Sequence, residues 1–326
     1  MFTDIVNSTM QSAAVDCGVR LCDEPHGIGI DIRAGVHADP AMWGTRSGRA
    51  VGRWATVDGG WPAEMGQTMV DNVEELGKLA DANLAGAWAN IGGHGGEVGG
   101  SPECPFVATG LPAAFFNGVY ATGPVDDPDQ LIADATIFMA ERGVPWLLWV
   151  REGVDDALLD AGRRAGLIDA GGPPAMALPA IPENPPLPDG LEITVVRDVA
   201  ELEVARDLAA RGFEMPREFV DVLAAESMLD DPSVVMVTGS VDDVPVSTAL
   251  VGVTGSTAGV YNVATPPEHR RSGYGEALTW AAVAEGRLLG CDHSILQASP
   301  MGAPVYRRMG YVDLGRYVQL AYEPPT

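Results

Sequence analysis

One stretch constrains this chain more than any other: Val263-Ala264-Thr265-Pro266-Pro267-Glu268-His269-Arg270-Arg271-Ser272-Gly273-Tyr274-Gly275-Glu276. The run Gly259–Thr265 reads as a strand and the two glycines as a turn. The segment from about Gly275 to Leu289, with Ala277, Ala281, Ala284 and Leu288 on one face, reads as a helix. A strand that turns into a helix leaves the helix's first amides unpaired and pointing outward, where their partial positive charge binds phosphate. Glycine lets backbone approach such an anion closely, and Arg270 and Arg271 would add charge-assisted donors. The spacing RxxGxG lacks the third glycine of a dinucleotide-binding GxGxxG.

The neighbouring pattern supports an α/β sheet built around this unit. Leu191–Arg197 alternates like a strand, Ala200–Arg211 reads as a helix with Leu202, Ala205, Leu208 and Ala209 inward, and Pro216–Leu229 as another helix. Val234–Thr238 and Val244–Val253 form a hairpin through Asp242-Asp243. After the glycine unit come a strand (Ser294–Ala298), a short helix (Ala303–Met309) and a last strand (Tyr317–Tyr322). Upstream, Glu64–Ala89 is helical in pattern. Pro105–Thr122 reads as strands bent at Asn117-Gly118, Asp129–Arg142 as a helix, Val144–Val150 as a strand and Val154–Ala165 as a helix.

The two halves meet at Pro179–Gly190, where five prolines in twelve residues favour an extended linker. Gly92–Gly100 is glycine-rich but lacks the GK[ST] ending of a P-loop, so it reads as a flexible connector.

Composition narrows the partners. A formal net charge of −25 argues against nucleic acid or an anionic membrane. Lys78 is the sole lysine, so an anion site must use arginine, backbone amides or both. No apolar run reaches the roughly 18 residues of a membrane span, and the N-terminus lacks the pattern of a secretory signal. Cys17, Cys22, Cys104 and Cys291 form no CxxC pair, and the histidines are not at metal-ligand spacings. The expectation is a cytoplasmic protein without metal or disulfide.

Taken together, Arg270–Gly275 resembles the pyrophosphate-binding motif of the GNAT family of acyl-CoA-dependent N-acyltransferases. Ala298–Tyr311, with its YxxxGY ending at Tyr306-Arg307-Arg308-Met309-Gly310-Tyr311, resembles that family's second motif. The likeness covers about Leu191 to Tyr322. It implies acetyl-CoA or another acyl-CoA as co-substrate and an amine acceptor. The cofactor-binding residues would be Val263, Ala264, Thr265, Arg270, Arg271, Ser272, Gly273, Tyr274, Gly275, Glu276 and Ser299. The Val263 backbone would donate to the oxyanion, and Tyr306 would be the general acid for the departing thiolate. Ser299 stands where many members carry asparagine; its reach is shorter. For a general base, Glu226 lies at helical spacing from Val222 and Leu223, and a carboxylate beside an apolar face could have a raised pKa; a solvated glutamate is the plainer reading. Asn262 and Tyr261 could position a water, and His269 is expected in an exposed turn.

Residues 41–178 resemble a degenerate half-copy of the same family without RxxGxG, expected to shape structure or substrate and not to hold CoA. The fold class expected is therefore α/β, tandem GNAT-like mixed sheets flanked by helices, the C-terminal copy (191–326) complete and the N-terminal copy degenerate. Within residues 1–40, Phe2–Thr9 and Ile30–His37 resemble strands of class III nucleotide cyclases, with Asp4 at a metal-ligand place. The second carboxylate set that two-metal chemistry needs is missing, which implies a non-functional remnant. The alternatives to an acyltransferase are a non-catalytic acyl-CoA sensor and, far behind, a nucleotide cyclase.

Charge is distributed unevenly. Arg270, Arg271, Arg307, Arg308 and Arg316 fall within or just after the two motifs, which predicts a local basic site in an acidic chain. The acidic surface would weakly steer a cationic acceptor.

Overall fold

The computed structural model describes residues 63–183 and 190–322. The readings placed on residues 1–40 lie outside them, as do residues 184–189 of the proline-rich segment.

The described chain opens with α1 (Ala63–Gly95). Leu76, Ala80, Leu84 and Trp88 recur every fourth residue on its buried stripe. A hairpin follows, β1 (Glu97–Ser101) and β2 (Cys104–Ala108), then β3 (Gly118–Tyr120), α2 (Pro128–Glu141), β4 (Trp146–Arg151), α3 (Asp156–Arg164), β5 (Ile168–Gly171) and β6 (Pro174–Leu178). The second half runs β7 (Glu192–Val195), α4 (Val199–Phe213), α5 (Arg217–Leu223), β8 (Val234–Val241), β9 (Val244–Thr254), β10 (Thr257–Ala264), α6 (Tyr274–Leu288), β11 (His293–Gln297), α7 (Ala303–Arg308) and β12 (Val312–Tyr322). Asp127, Asp155 and Asp198 cap α2, α3 and α4, their carboxylates accepting from the amides of Gln130, Leu158 and Glu201.

All the described strands join in one mixed sheet of order β1-β2-β3-β4-β12-β6-β11-β10-β9-β8-β7, with β5 also on β12. Two crossovers make parallel pairs, β3 with β4 across α2 and β10 with β11 across α6. The halves exchange strands. β6, from the first half, lies between β11 and the Val312–Arg316 part of β12. The Tyr317–Tyr322 part of β12 returns to pair with β4 and β5.

One core accordingly spans both halves. It holds Trp88, Phe115, Tyr120 and Trp149 from the first with Phe219, Leu223, Ala264 and Tyr317 from the second. Asp81 of α1 is buried within it and accepts from Arg151 Nε and Nη2 (3.0 and 2.9 Å) and from the Tyr317 hydroxyl (3.0 Å). Burial pushes the Asp81 carboxyl up; the guanidinium and the phenol oppose that.

Three expectations change. Gly92–Gly100 is not a flexible connector: α1 runs to Gly95 and β1 starts at Glu97. At Gly96 a side chain would collide with the Ala108 backbone, so glycine here permits close packing. The helix expected over Pro216–Leu229 stops at Leu223, because the Ala224 carbonyl accepts from buried Arg206 Nε (2.8 Å) and the chain tightens into a 3₁₀ turn at Glu226–Asp230. The start of the proline-rich segment is docked: Ile181 is buried, its amide donates to Asp292 O, and its carbonyl accepts from Arg287.

Candidate functional site

The parallel pair β10–β11 is hydrogen-bonded only from Thr257 to Gly259 and from His293 to Ile295. Both strands continue beyond, β10 to Ala264 and β11 to Gln297, so a gap opens between them. On its other edge β10 slips register against β9 between Tyr261 and Ala264, where Asn262 takes a left-handed φ of 51°. A cavity of about 250 Å³ occupies the gap, lined by Val260–Val263 on one side and Leu296–Ser299 and Tyr306 on the other.

The glycine motif lies just past the end of β10. Gly273 is the N-cap of α6 with φ 82°, and no side chain caps the helix. The first backbone bond of α6 runs from the Ala277 amide to Gly273 O (3.0 Å). The amides of Tyr274, Gly275 and Glu276 precede it and have no carbonyl within the helix to reach. Ser272 and Gly273 are exposed there, and Tyr274 and Gly275 half-buried. The Thr265 and Ser247 hydroxyls meet at 2.8 Å, and Ser247 donates to Ala264 O, which fixes the end of β10.

The expected basic cluster is mostly spent on pairing. Arg270 turns inward and donates to Thr265 O (3.1 Å) and Gly212 O (2.8 Å), stapling the loop to the end of α4. Arg307 pairs with Asp313, Arg308 with Glu276 and Arg316 with Glu152. Arg271, exposed and at φ 66°, has no ion pair among the described residues.

Tyr306 projects from α7 and lines the cavity beside Ser299. Burial pushes its phenol up, partly offset by a hydrogen bond with Thr279. Ser299 Oγ accepts the Gly302 amide at 3.0 Å, so it caps the turn into α7. Glu226 is exposed on the first residue of its 3₁₀ turn and does not line the cavity; its helical spacing from Val222 is lost where α5 ends. His269 is half-buried in the 3₁₀ turn Pro267–His269.

Sequence reasoning missed the part of the far wall that comes from α1, where Leu84, Trp88, Asn90 and Ile91 line the cavity and polar contacts behind them hold the helix in place. Asn83 is fully buried, donates to Gly252 O and Thr257 O (3.0 and 3.1 Å), and accepts from the Tyr261 hydroxyl at 2.6 Å. Tyr261 thus hydrogen-bonds to protein, and burial raises its phenol. Near the end of α1, Asn90 donates to Asp231 (2.6 Å), and His94 bridges Asp231 (3.2 Å) and Ser227 (2.8 Å). Burial opposes the Asp231 carboxylate, yet hydrogen bonds from Ser233, Asn90 and His94 hold its carboxyl well below the usual range. These partners lie far along the chain and carry no motif.

Comparisons with known proteins bear on the family and the fold. Residues 200–312 match the family described as Acetyltransferase (GNAT) domain, so this part of the chain is similar to that domain. That family takes its acyl group from acetyl-CoA. A GCN5-related N-acetyltransferase from Kribbella flavida is similar in structure, with TM-score 0.59, 22% identity and coverage of 75% of this chain and 96% of that one. At that identity the likeness concerns the fold, a mixed sheet flanked by helices. A GCN5-related N-acetyltransferase from Sphaerobacter thermophilus matches at TM-score 0.45 and 18% identity over 60% of this chain and 66% of its own. A tandem GNAT protein from the clavulanic acid biosynthesis pathway matches at TM-score 0.48 and 15% identity over 68% and 79%. No curated protein matches the sequence. Among the described residues no helix is long and apolar enough to cross a membrane.

Proposed function

We propose that this chain is an acyl-CoA-dependent N-acyltransferase, in the first place an N-acetyltransferase, with one donor site in its C-terminal half. The observation that carries the reading is the coincidence of three features at one end of the sheet: the β10–β11 gap, the uncapped N-terminus of α6, and Tyr306.

The open space over Gly273 and the outward amides of Tyr274, Gly275 and Glu276 fit a pyrophosphate, with exposed Arg271 beside them as a cationic donor. The pantetheine arm would run along the free edge at Val263–Thr265 toward Ser299. The amine attacks the thioester carbonyl, and the Val263 amide stabilises the oxyanion. Collapse of the tetrahedral adduct breaks the C–S bond, and Tyr306 protonates the departing thiolate. A phenol raised by burial stays protonated through the neutral range, which suits it to donate. The first half acts in this reading as a degenerate copy that supplies β6 to the catalytic sheet and α1 as cover.

Release of free thiol from acetyl-CoA in the presence of amines tests the activity. Tyr306→Phe is expected to lower kcat by about 100-fold with the acetyl-CoA dissociation constant unchanged. An unchanged kcat removes Tyr306 from the mechanism, and absence of any acetyl-CoA binding removes the proposal.

A further inference from the structure

Past the gap, the cavity ends on a wall unlike the donor side. Trp88, Phe115 and Trp149 line it, with Phe115 edge-on to Trp88 (5.9 Å, 74°) and to Trp149 (5.8 Å, 67°). Gln297 of β11 and Gln319 of β12 line it too. Gln297 Nε2, both amide atoms of Gln319 and Trp149 Nε1 are buried without a hydrogen-bond partner among the described residues. An orphaned buried polar group destabilises a fold, and native proteins keep few of them. Of the eight such atoms among the described residues, these four belong to side chains that line this one cavity, where a ligand can reach them.

The wall is also uncharged. None of the described residues lining the cavity is Asp, Glu, His, Lys or Arg. Its titratable groups are the phenols of Tyr261 and Tyr306. Asp231 stands behind Asn90 and Ser233 and carries His94. Asp81 is locked to Arg151 behind Tyr317, whose ring meets Trp149.

We propose that this wall is the acceptor subsite and that it takes a weakly basic aryl amine, its ring among Trp88, Phe115 and Trp149 and its polar substituents on the amides of Gln297 and Gln319. The inference rests on the acyltransferase reading and names its acceptor class. An alkyl ammonium would have to shed its hydration and its proton at a wall that offers neither a carboxylate nor a base. An aryl amine arrives neutral with its lone pair available. The C–N bond forms on addition to the thioester carbonyl, and collapse of the tetrahedral adduct breaks the C–S bond; the extra amine proton leaves to solvent, and Tyr306 protonates the thiolate. The acidic surface, which would favour a cation at long range, does not extend to this wall.

The test uses the full chain with acetyl-CoA and two matched acceptors, 4-aminobenzamide and 4-(aminomethyl)benzamide, between pH 6.5 and 8.5. The aryl amine is expected to be preferred at pH 7 by about 100-fold in kcat/KM, with a flat profile. The alkyl amine should gain about tenfold per pH unit as its ammonium deprotonates. Gln319→Met, which replaces the orphaned amide with an apolar chain of similar length, should raise KM for 4-aminobenzamide about tenfold. It should leave acetyl-CoA affinity unchanged and raise Tm. Preference for the alkyl amine at pH 7 overturns the inference alone, as does faster transfer from octanoyl-CoA with competitive exclusion of the aryl amine, which would make the wall an acyl-chain site. Absence of acetyl-CoA binding by calorimetry overturns the acyltransferase reading and this inference with it.

Discussion

Gly273→Glu separates the phosphate cradle from the fold that presents it. A Cβ built at Gly273 has no heavy atom within 4 Å, so the new side chain meets no neighbour. Its folding cost is the left-handed backbone at φ 82°, roughly 1–2 kcal/mol for a residue with a Cβ. In a chain of this size that lowers Tm by about 2–4 °C. Binding should suffer more. The glutamate carboxylate would sit on the amides that the pyrophosphate needs, and each charge-assisted bond to them is worth about 1.5–3 kcal/mol. Losing two corresponds to a rise in the acetyl-CoA dissociation constant of at least about 100-fold. Gly275→Ala is the control. Gly275 is helical, and its Cβ would lie 3.5 Å from Thr265 Oγ1 and 3.9 Å from Val263 Cγ1, ordinary contacts. Alanine should stabilise α6 by up to about 1 kcal/mol and leave affinity within about threefold. Calorimetric titration with acetyl-CoA, paired with thermal melts, reads both quantities. A folded Gly273→Glu protein that binds acetyl-CoA like wild type refutes the cradle.

Three further outcomes follow from the same geometry. Arg270→Gln loses two carbonyl hydrogen bonds at about 1 kcal/mol each, so its melt should shift, whereas Arg271→Gln should leave the melt unchanged and weaken acetyl-CoA binding by about threefold to tenfold; the reverse pattern would exchange their roles. Arg151→Met leaves the Asp81 carboxylate buried beside Tyr317 alone, expected to cost about 3–5 kcal/mol in urea unfolding, much of it recovered in the double variant with Asp81→Asn; no recovery would mean Arg151 stabilises by packing. Burial raises the phenols of Tyr120, Tyr261, Tyr306, Tyr311 and Tyr317 above their ordinary value near 10. The folded chain therefore holds protons that the unfolded chain releases above that pH, so stability is full below pH about 10 and falls as pH rises further; a melting temperature that is flat from pH 8 to 11 would contradict the burial of these hydroxyls.

The C-terminal elements were legible because their signals are local. Alternation marks β8 and β9, the Leu202-Ala205-Leu208-Ala209 face marks α4, and the RxxGxG turn marks the start of α6. Its end was less so: Leu288, expected on the apolar face, is exposed as the last residue of α6. β5 and β6 carry no strand signal of their own; Pro174–Leu178 becomes a strand because β11 and β12 leave a place between them. The far wall was invisible for a related reason. Asn83 meets Gly252 and Thr257 across 169 and 174 residues of sequence, and nothing in the local pattern of α1 announces that contact. The basic cluster was misread because composition counts charges without their partners, and Asp313, Glu276 and Glu152 neutralise three of those arginines.

The central claim is a single acyl-CoA site formed where β10 and β11 part. Titration of the full chain with acetyl-CoA measures it most directly: the account predicts saturable binding at one site per chain, lost in Gly273→Glu. Two equivalent sites would make the first half a working copy, and no binding would contradict the account outright.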